Sequence, residues 1–306
     1  MFRIERDLGK FYGLSFYTFF YPKNLAAMSV NDVLRKLLIP RKWRHYLRIE
    51  QNVKINGEYR YFNEEIFPGD QIDIVLDQVE SAQQKYPASG KLPDVIYEDK
   101  NLLIINKKKG QKTHPNLDET TTALNDCATY LGYSPYIVHR LDMLTSGLLL
   151  IAKNPAVVPI LNRELTNKTF HRDYLAKVDH ADKLENQGTI DQPIGHDPDD
   201  QRKRMITPDG LHAVTHYQVL KRNYDGSAIV RLTLETGRTH QIRAHLASLG
   251  TPIIGDPLYN PNFAGEELAL DAYEISLIKP FSFEKLDAKL PEEKNSTVKK
   301  QRSLIL

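Results

Sequence analysis

Residues 139–153 read His-Arg-Leu-Asp-Met-Leu-Thr-Ser-Gly-Leu-Leu-Leu-Ile-Ala-Lys, the segment that most restricts how this chain folds. The run 148–152 is aliphatic throughout and reads as a fully buried strand. The turn before it, 142–147, holds an acid, Asp142, two hydroxyls, Thr145 and Ser146, and Gly147. Polar groups placed where a rigid strand begins are a good mount for a reactive side chain. The alternative is that Asp142 accepts hydrogen bonds from Thr145 or Ser146 and only builds the turn.

At 306 residues the chain suggests about two domains. Between residues 94 and 284 strand and helix patterns mix without a repeat, beginning with 95–99 and the apolar strand 102–106. The regular alternation of a doubly wound fold is missing, so the class is α+β. Apolar runs fall far short of the ~20 residues that span a bilayer, and no membrane is expected. The aromatic stretch 11–21 lacks the pattern of a secretory signal and reads as a strand or strand pair. Cys127 is the one cysteine. It excludes an internal disulfide and a thiol zinc site, fits a cytoplasmic protein, and sits as a buried thiol in an apolar helical pattern.

The N-terminal part, residues 1–80, reads as a compact module. Val30, Val33, Leu34, Leu37 and Leu38 repeat at helical spacing after a Ser29 cap. Pro40 ends that helix and a second follows over 41–49. A strand runs into the Asn56-Gly57 turn, and another, 71–76, follows Phe67-Pro-Gly-Asp70. Net charge is only +2, but its distribution is uneven. Arg35, Lys36, Arg41, Lys42, Arg44 and Arg48 cluster without an acid among them. Lys107, Lys108, Lys109 and Lys112 form a second cluster, and Arg202, Lys203 and Arg204 a third. Such clusters neutralise phosphates, or are simply solvated surface. Residues 81–93 read as a linker, and the charged end, 285–306, as a loose tail.

Two further strings stand out. Residues 170–178, Phe-His-Arg-Asp-Tyr-Leu-Ala-Lys-Val, carry Tyr174. Residues 236–246, Thr-Gly-Arg-Thr-His-Gln-Ile-Arg-Ala-His-Leu, run into Gly-Thr-Pro-Ile-Ile-Gly-Asp-Pro-Leu-Tyr, 250–259. Gly237 permits a tight turn, and a short helix from Thr239 carries His240, Gln241, Arg243 and His245. The five-residue spacing of the two histidines does not put them on one helical face, so no metal is expected.

The string His-Arg-Leu-Asp-x-x-Thr-Ser-Gly-Leu-Leu-Leu is similar to the signature of the RluA/RluD family of pseudouridine synthases. The segment around Tyr174 and the 236–259 string resemble that family's later motifs, and 201–206 and 210–217 its middle segment. The resemblance spans residues 94–282. Residues 28–76 resemble an S-four-type RNA-binding domain, whose basic helix pair faces RNA. Two positions depart: Lys108 stands where the family usually has proline, and Asp271 where it usually has histidine.

The resemblance implies a mixed, mainly antiparallel sheet and an RNA-modifying isomerase. Its substrate would be structured RNA, ribosomal or transfer. It implies Asp142 as the catalytic carboxylate, Tyr174 packing on the target uracil and Arg243 pairing with Asp142. His139, Arg140, Thr145, Arg238 and His240 are expected to hold the nucleotide. The reaction breaks the bond from uracil nitrogen to ribose, turns the base and rejoins it through carbon five. It changes no oxidation state and adds no group, so no cofactor is expected, and no dinucleotide or Walker glycine motif is present. The carboxylate acts as a nucleophile on sugar or base, or deprotonates ribose to start elimination. A monomer is expected. Two rival readings stay open: a non-catalytic RNA-binding protein of the same fold, and a glycosidic hydrolase. The hydrolase ordinarily wants two opposed carboxylates.

Overall fold

The computed structural model describes residues 15–297 except 78, 80, 82, 117 and 296. Its centre is a ten-stranded sheet. The strands along it are Gln187–Asp191, Val214–Arg222, Ala228–Leu234, His171–Val178, Leu270–Ile278, Ser146–Ala152, Leu102–Lys107 and Val95–Glu98. Tyr136–Ile137 and Lys285–Lys289 pair alongside it. Among the described strands of this sheet only Ser146–Ala152 with Leu270–Ile278 is parallel; the other pairs are antiparallel. The mixed, mainly antiparallel α+β arrangement is therefore present.

Alternation explains why the 148–152 run is wholly apolar. Leu148 and Leu150, with Leu102 and Ile104, enter one core. Leu149 and Ile151, with Leu103 and Ile105, enter another, under the helix Ala123–Leu131. Side chains leave a strand on alternate faces, so a strand covered on both sides needs apolar residues at every position. Cys127 lies buried in that helix. The parallel pair closes tightly at Gly147, whose φ is +103°. A Cβ there would lie 2.2 Å from the Ala272 carbonyl oxygen, so only glycine fits.

The N-terminal module has a four-stranded sheet, in the order Ser15–Phe20, Gln71–Leu76, Val53–Ile55 and Glu58–Tyr59. Ser29 caps the helix Val30–Lys36 by accepting from the Asp32 N–H. That helix ends at Lys36, before Pro40: Leu38 reverses the chain at φ +57°, and Pro40 precedes the second helix, Arg41–Ile49. Asn56 and Gly57, both at positive φ, form the expected hairpin turn. Ser15–Phe20 covers part of the aromatic stretch; residues 11–14 lie outside the described residues.

The module packs against the domain of the ten-stranded sheet. Tyr17 stacks on Phe281 with centroids 3.6 Å apart. Arg163 donates to the carbonyls of Leu38 and Ile39 at 3.2 and 3.0 Å. Within the expected linker 81–93, Tyr86 is buried and Ser89 bonds Asp126, so these two residues are docked on the domain that follows. The charged end differs from expectation over 285–290, while residues 298–306 lie outside the described residues. Lys285–Lys289 pairs with Leu270–Ile278, and Ala288 and Leu290 are buried. A period-two pattern is hidden there by lysine and aspartate on the outward positions. Among the described residues no helix is long and apolar enough to cross a membrane.

One buried acid lies near this packing. Glu164, in the helix Val158–Thr166, is 2% exposed and accepts the Ile278 N–H at 3.1 Å. Burial pushes its carboxyl up to about 7, against the opposing effect of that hydrogen bond, from an ordinary 4.5. The folded chain then holds a proton the unfolded chain has released. Stability from this group is full below about 4.5 and drains as pH rises through about 7. Glu164→Gln is expected to flatten the decline seen between pH 5 and 8, by at most about 3 kcal/mol. Melting curves of both proteins across that range check it; parallel curves would refute it.

Candidate active site

An open cleft of about 890 Å³ is lined by Asp142, Tyr174, Arg140, Arg172, His240 and Arg243, among others. Drug-sized ligand sites run to about 300–1,000 Å³, so a nucleotide fits. The Asp142 carboxylate is 28% exposed at its side chain. The turn does not consume it. The Thr145 N–H donates to the Asp142 backbone carbonyl at 3.1 Å, and the Ser146 hydroxyl goes to Asp271. Instead, Arg243 Nη1 and His240 Nε2 each stand 3.9 Å from Asp142 Oδ2.

Three side chains brace the turn. Thr113 Oγ1 donates to the Leu141 carbonyl at 2.8 Å and accepts the Leu141 N–H at 3.0 Å. His139 Nε2 accepts the Leu150 N–H at 3.0 Å; burial pushes this imidazole down to about 3, so it is neutral. His139 lines the cleft, but its ring is largely buried and Nε2 is held by the strand. Lys107 is the third brace, 0% exposed, donating to the carbonyls of Lys108, Gln111 and Met143 at 2.9, 2.7 and 3.3 Å. Burial pushes its amine down to about 7, opposed by the charge of Asp142. The expected surface cluster of lysines is corrected accordingly, since Lys107 faces inward and Lys112 pairs with Glu119.

Arg243 is held elsewhere as well. Its Nε and Nη2 fork onto Asp256 at 2.7 Å each, and both residues are buried. Asp256 also accepts the N–H groups of Leu258 and Tyr259. Burial disfavours the guanidinium charge, but Asp256 and Asp142 outweigh it and raise its pKa. The fork leaves Nη1 for Asp142, and the guanidinium carbon lies 5.1 Å from the Tyr259 ring centroid. The helix begins at Gln241, not Thr239; His240 precedes it at φ +57°. His240 Nδ1 pairs with the Tyr259 hydroxyl at 3.1 Å, and burial lowers its pKa. His245 points elsewhere, to Thr215 and the Gln192 carbonyl.

Tyr174 is 5% exposed and lines the cleft, and burial raises its pKa. Thr145 is buried at the cleft wall. Arg140 and Arg238 are exposed at the rim, Arg238 donating to the His212 carbonyl at 2.9 Å. Of the N-terminal cations, Arg35, Lys36, Arg41, Lys42 and Arg48 are exposed. Arg44 is half-buried and donates to Asn31 at 2.8 Å, so it is a bracing group of the helix pair rather than a free surface cation. Asp256, Tyr259 and Thr113 carry no role in the sequence reading, and Lys107 only that of a basic cluster. Asp256 and Tyr259 lie inside the 250–259 string, but only the fold supplies their partners.

Comparison with known proteins finds matches over most of the chain. The RNA pseudouridylate synthase family model matches residues 101–248, and the RluD ribosomal pseudouridine synthase N-terminal domain matches 17–72. The chain is 35% identical over 304 residues to ribosomal large subunit pseudouridine synthase D of Nitrosomonas europaea, covering 92% of this chain and 87% of that one. This chain belongs to the RNA pseudouridine synthase family. Another pseudouridine synthase, the uncharacterized YlyB of Bacillus subtilis, is 37% identical over 79% of this chain and 82% of its own length. Among solved structures, human RNA pseudouridylate synthase domain containing 1 superposes with a TM-score of 0.55 at 25% identity. That match covers 67% of this chain and 85% of the human one. As a pseudouridine synthase the chain is an isomerase acting on RNA.

Proposed function

We propose that this synthase isomerises uridines in large-subunit ribosomal RNA, with Asp142 as its catalytic carboxylate. The observation that carries the assignment is a carboxylate left free by its own turn, facing the cleft with a fixed guanidinium beside it. Such a cation keeps a carboxylate ionised when an entering nucleoside displaces water. Removing uridine from its stack costs a few kcal/mol. Tyr174 offsets part of this by packing on the base, worth ~1–3 kcal/mol. Arg140 and Arg238 at the rim meet the flanking phosphates, and His240 contacts the nucleotide from the helix start. The ribosomal assignment draws on relatives named for the large subunit and on the matched N-terminal domain.

Pseudouridine mapping in all stable RNAs, from cells with and without the gene, tests the substrate. Sites lost from large-subunit RNA are the expected result; losses confined to transfer RNA refute the ribosomal assignment. Release of free uracil from RNA would instead mark a hydrolase.

The N-terminal module, residues 1–80, binds RNA through the exposed cations of its helix pair. Lys42→Glu with Arg48→Glu is expected to weaken RNA binding and lower the salt dependence of log K by roughly 1–2 units. Turnover of a minimal RNA stays unchanged. An unaltered salt slope would remove the module's proposed role.

A further inference from the structure

The carboxylate of Asp271 joins three separate segments beneath the Asp142 turn. It is fully buried and lies opposite Ser146 in the parallel strand pair. Its Oδ1 accepts the Ser146 hydroxyl. Its Oδ2 accepts both the N–H and the hydroxyl of Thr297, at 2.8 and 2.7 Å. Thr297 is itself buried, and Asn295 beside it accepts the same N–H at 3.0 Å. Further back, the Leu290 N–H donates to the Tyr273 carbonyl at 2.8 Å, and Lys294 pairs with Asp94 at 2.5 Å. Leu290, Lys294 and Thr297 thus fasten the C-terminal segment in steps up to Asp271, the partner of Ser146.

We propose that Asp271 is a positioning residue for the reaction, and that Lys294, Asn295 and Thr297 belong to the scaffold of the active site. Ser146 opens the strand on which the Asp142 turn is mounted, and Gly147 behind it is already in close contact with Ala272. A hydroxyl held by a carboxylate fixes that strand start more firmly than a neutral bond, since charge-assisted hydrogen bonds are roughly twice as strong. Small displacements of a reacting group are costly: about 1 Å can cost 10²-fold in rate. The clasp therefore acts on the rate of the chemical step. RNA affinity is unaffected, because Asp271 and Thr297 are buried away from the RNA-facing cations. Histidine, usual at this position in the family, has no pair of acceptor oxygens to serve Ser146 and Thr297 together.

Thr297→Val removes the hydroxyl at nearly constant volume, and Asp271→Asn removes one acceptor. In single-turnover assays on a minimal RNA, Thr297→Val is expected to lower the rate about 3- to 10-fold. Asp271→Asn lowers it about 10- to 100-fold, with KM within twofold of wild type in both. Thr297→Ser, which keeps the hydroxyl, restores the wild-type rate. The double variant Thr297→Val with Asp271→Asn is no slower than Asp271→Asn alone, because both act through one network. Should Asp271→Asn not fold, Thr297→Val against Thr297→Ser decides the question. A lower melting temperature with unchanged rate, a rise in KM alone, or purely additive effects overturns the proposal. The inference rests on the Asp142 reading, which fails separately if Asp142→Asn stays active.

Discussion

Asp142→Asn is expected to abolish pseudouridine formation while leaving the protein folded and able to bind RNA. The carboxylate takes no hydrogen bond from its own turn, which is closed by the Asp142 backbone carbonyl and braced by Thr113 and Lys107. An amide of the same shape therefore disturbs little, and the melting free energy should move by no more than about 1 kcal/mol, as for a partly exposed ion pair. Chemistry is another matter. Every route open to the carboxylate, attack on sugar or base or proton removal from ribose, needs a lone pair on a charged oxygen, which the amide lacks. The rate should fall by at least about 10⁴-fold, equivalent to roughly 5 kcal/mol of barrier. RNA affinity should hold or rise slightly, since a negative charge facing phosphates is gone. A tritium-release or mass-spectrometric assay on modified RNA reads the loss, and a folded Asn variant with measurable turnover would end the assignment.

What the sequence made readable follows from where the determinants lie. The turn and its buried strand are contiguous, so their alternation and polarity can be read directly. Asp142, Tyr174 and Arg243 were expected from strings resembling a known family, and the fold brings all three to one cleft. Roles set by distant partners were not readable. Lys107 sits in a run of lysines that looks like solvated surface; its three acceptors are backbone carbonyls, which no side-chain pattern reveals. His139 lies beside the candidate carboxylate in sequence, yet its Nε2 is turned to the Leu150 N–H. The final strand was hidden for a different reason. Lys285, Asp287 and Lys289 dominate its composition, while Leu286, Ala288 and Leu290 supply the alternation that pairs it to the sheet. Asp271 read only as a departure from a family pattern until Ser146 and Thr297 were seen on its two oxygens.

Arg243→Met should be nearly as damaging to turnover as loss of Asp142, but it carries a second effect that must be separated. Arg243 holds Asp256 through two buried bonds and reaches Asp142 with its remaining nitrogen. Removing the guanidinium leaves Asp256 buried with only backbone donors. Breaking a buried pair in this way costs about 3–5 kcal/mol of stability. Inactivity of the single variant would then have two explanations. Adding Asp256→Asn removes the stranded charge while keeping an oxygen for the Leu258 and Tyr259 N–H groups. The double variant is expected to regain most of the lost stability, to within about 1–2 kcal/mol. Turnover should nonetheless stay at least about 10²-fold down, roughly 3 kcal/mol of barrier, because nothing replaces the cation beside Asp142. Arg243→Lys should also fail, since one ammonium cannot fork onto Asp256 and face Asp142 together. Recovery of turnover along with stability in the double variant would reduce Arg243 to a scaffold for Asp256.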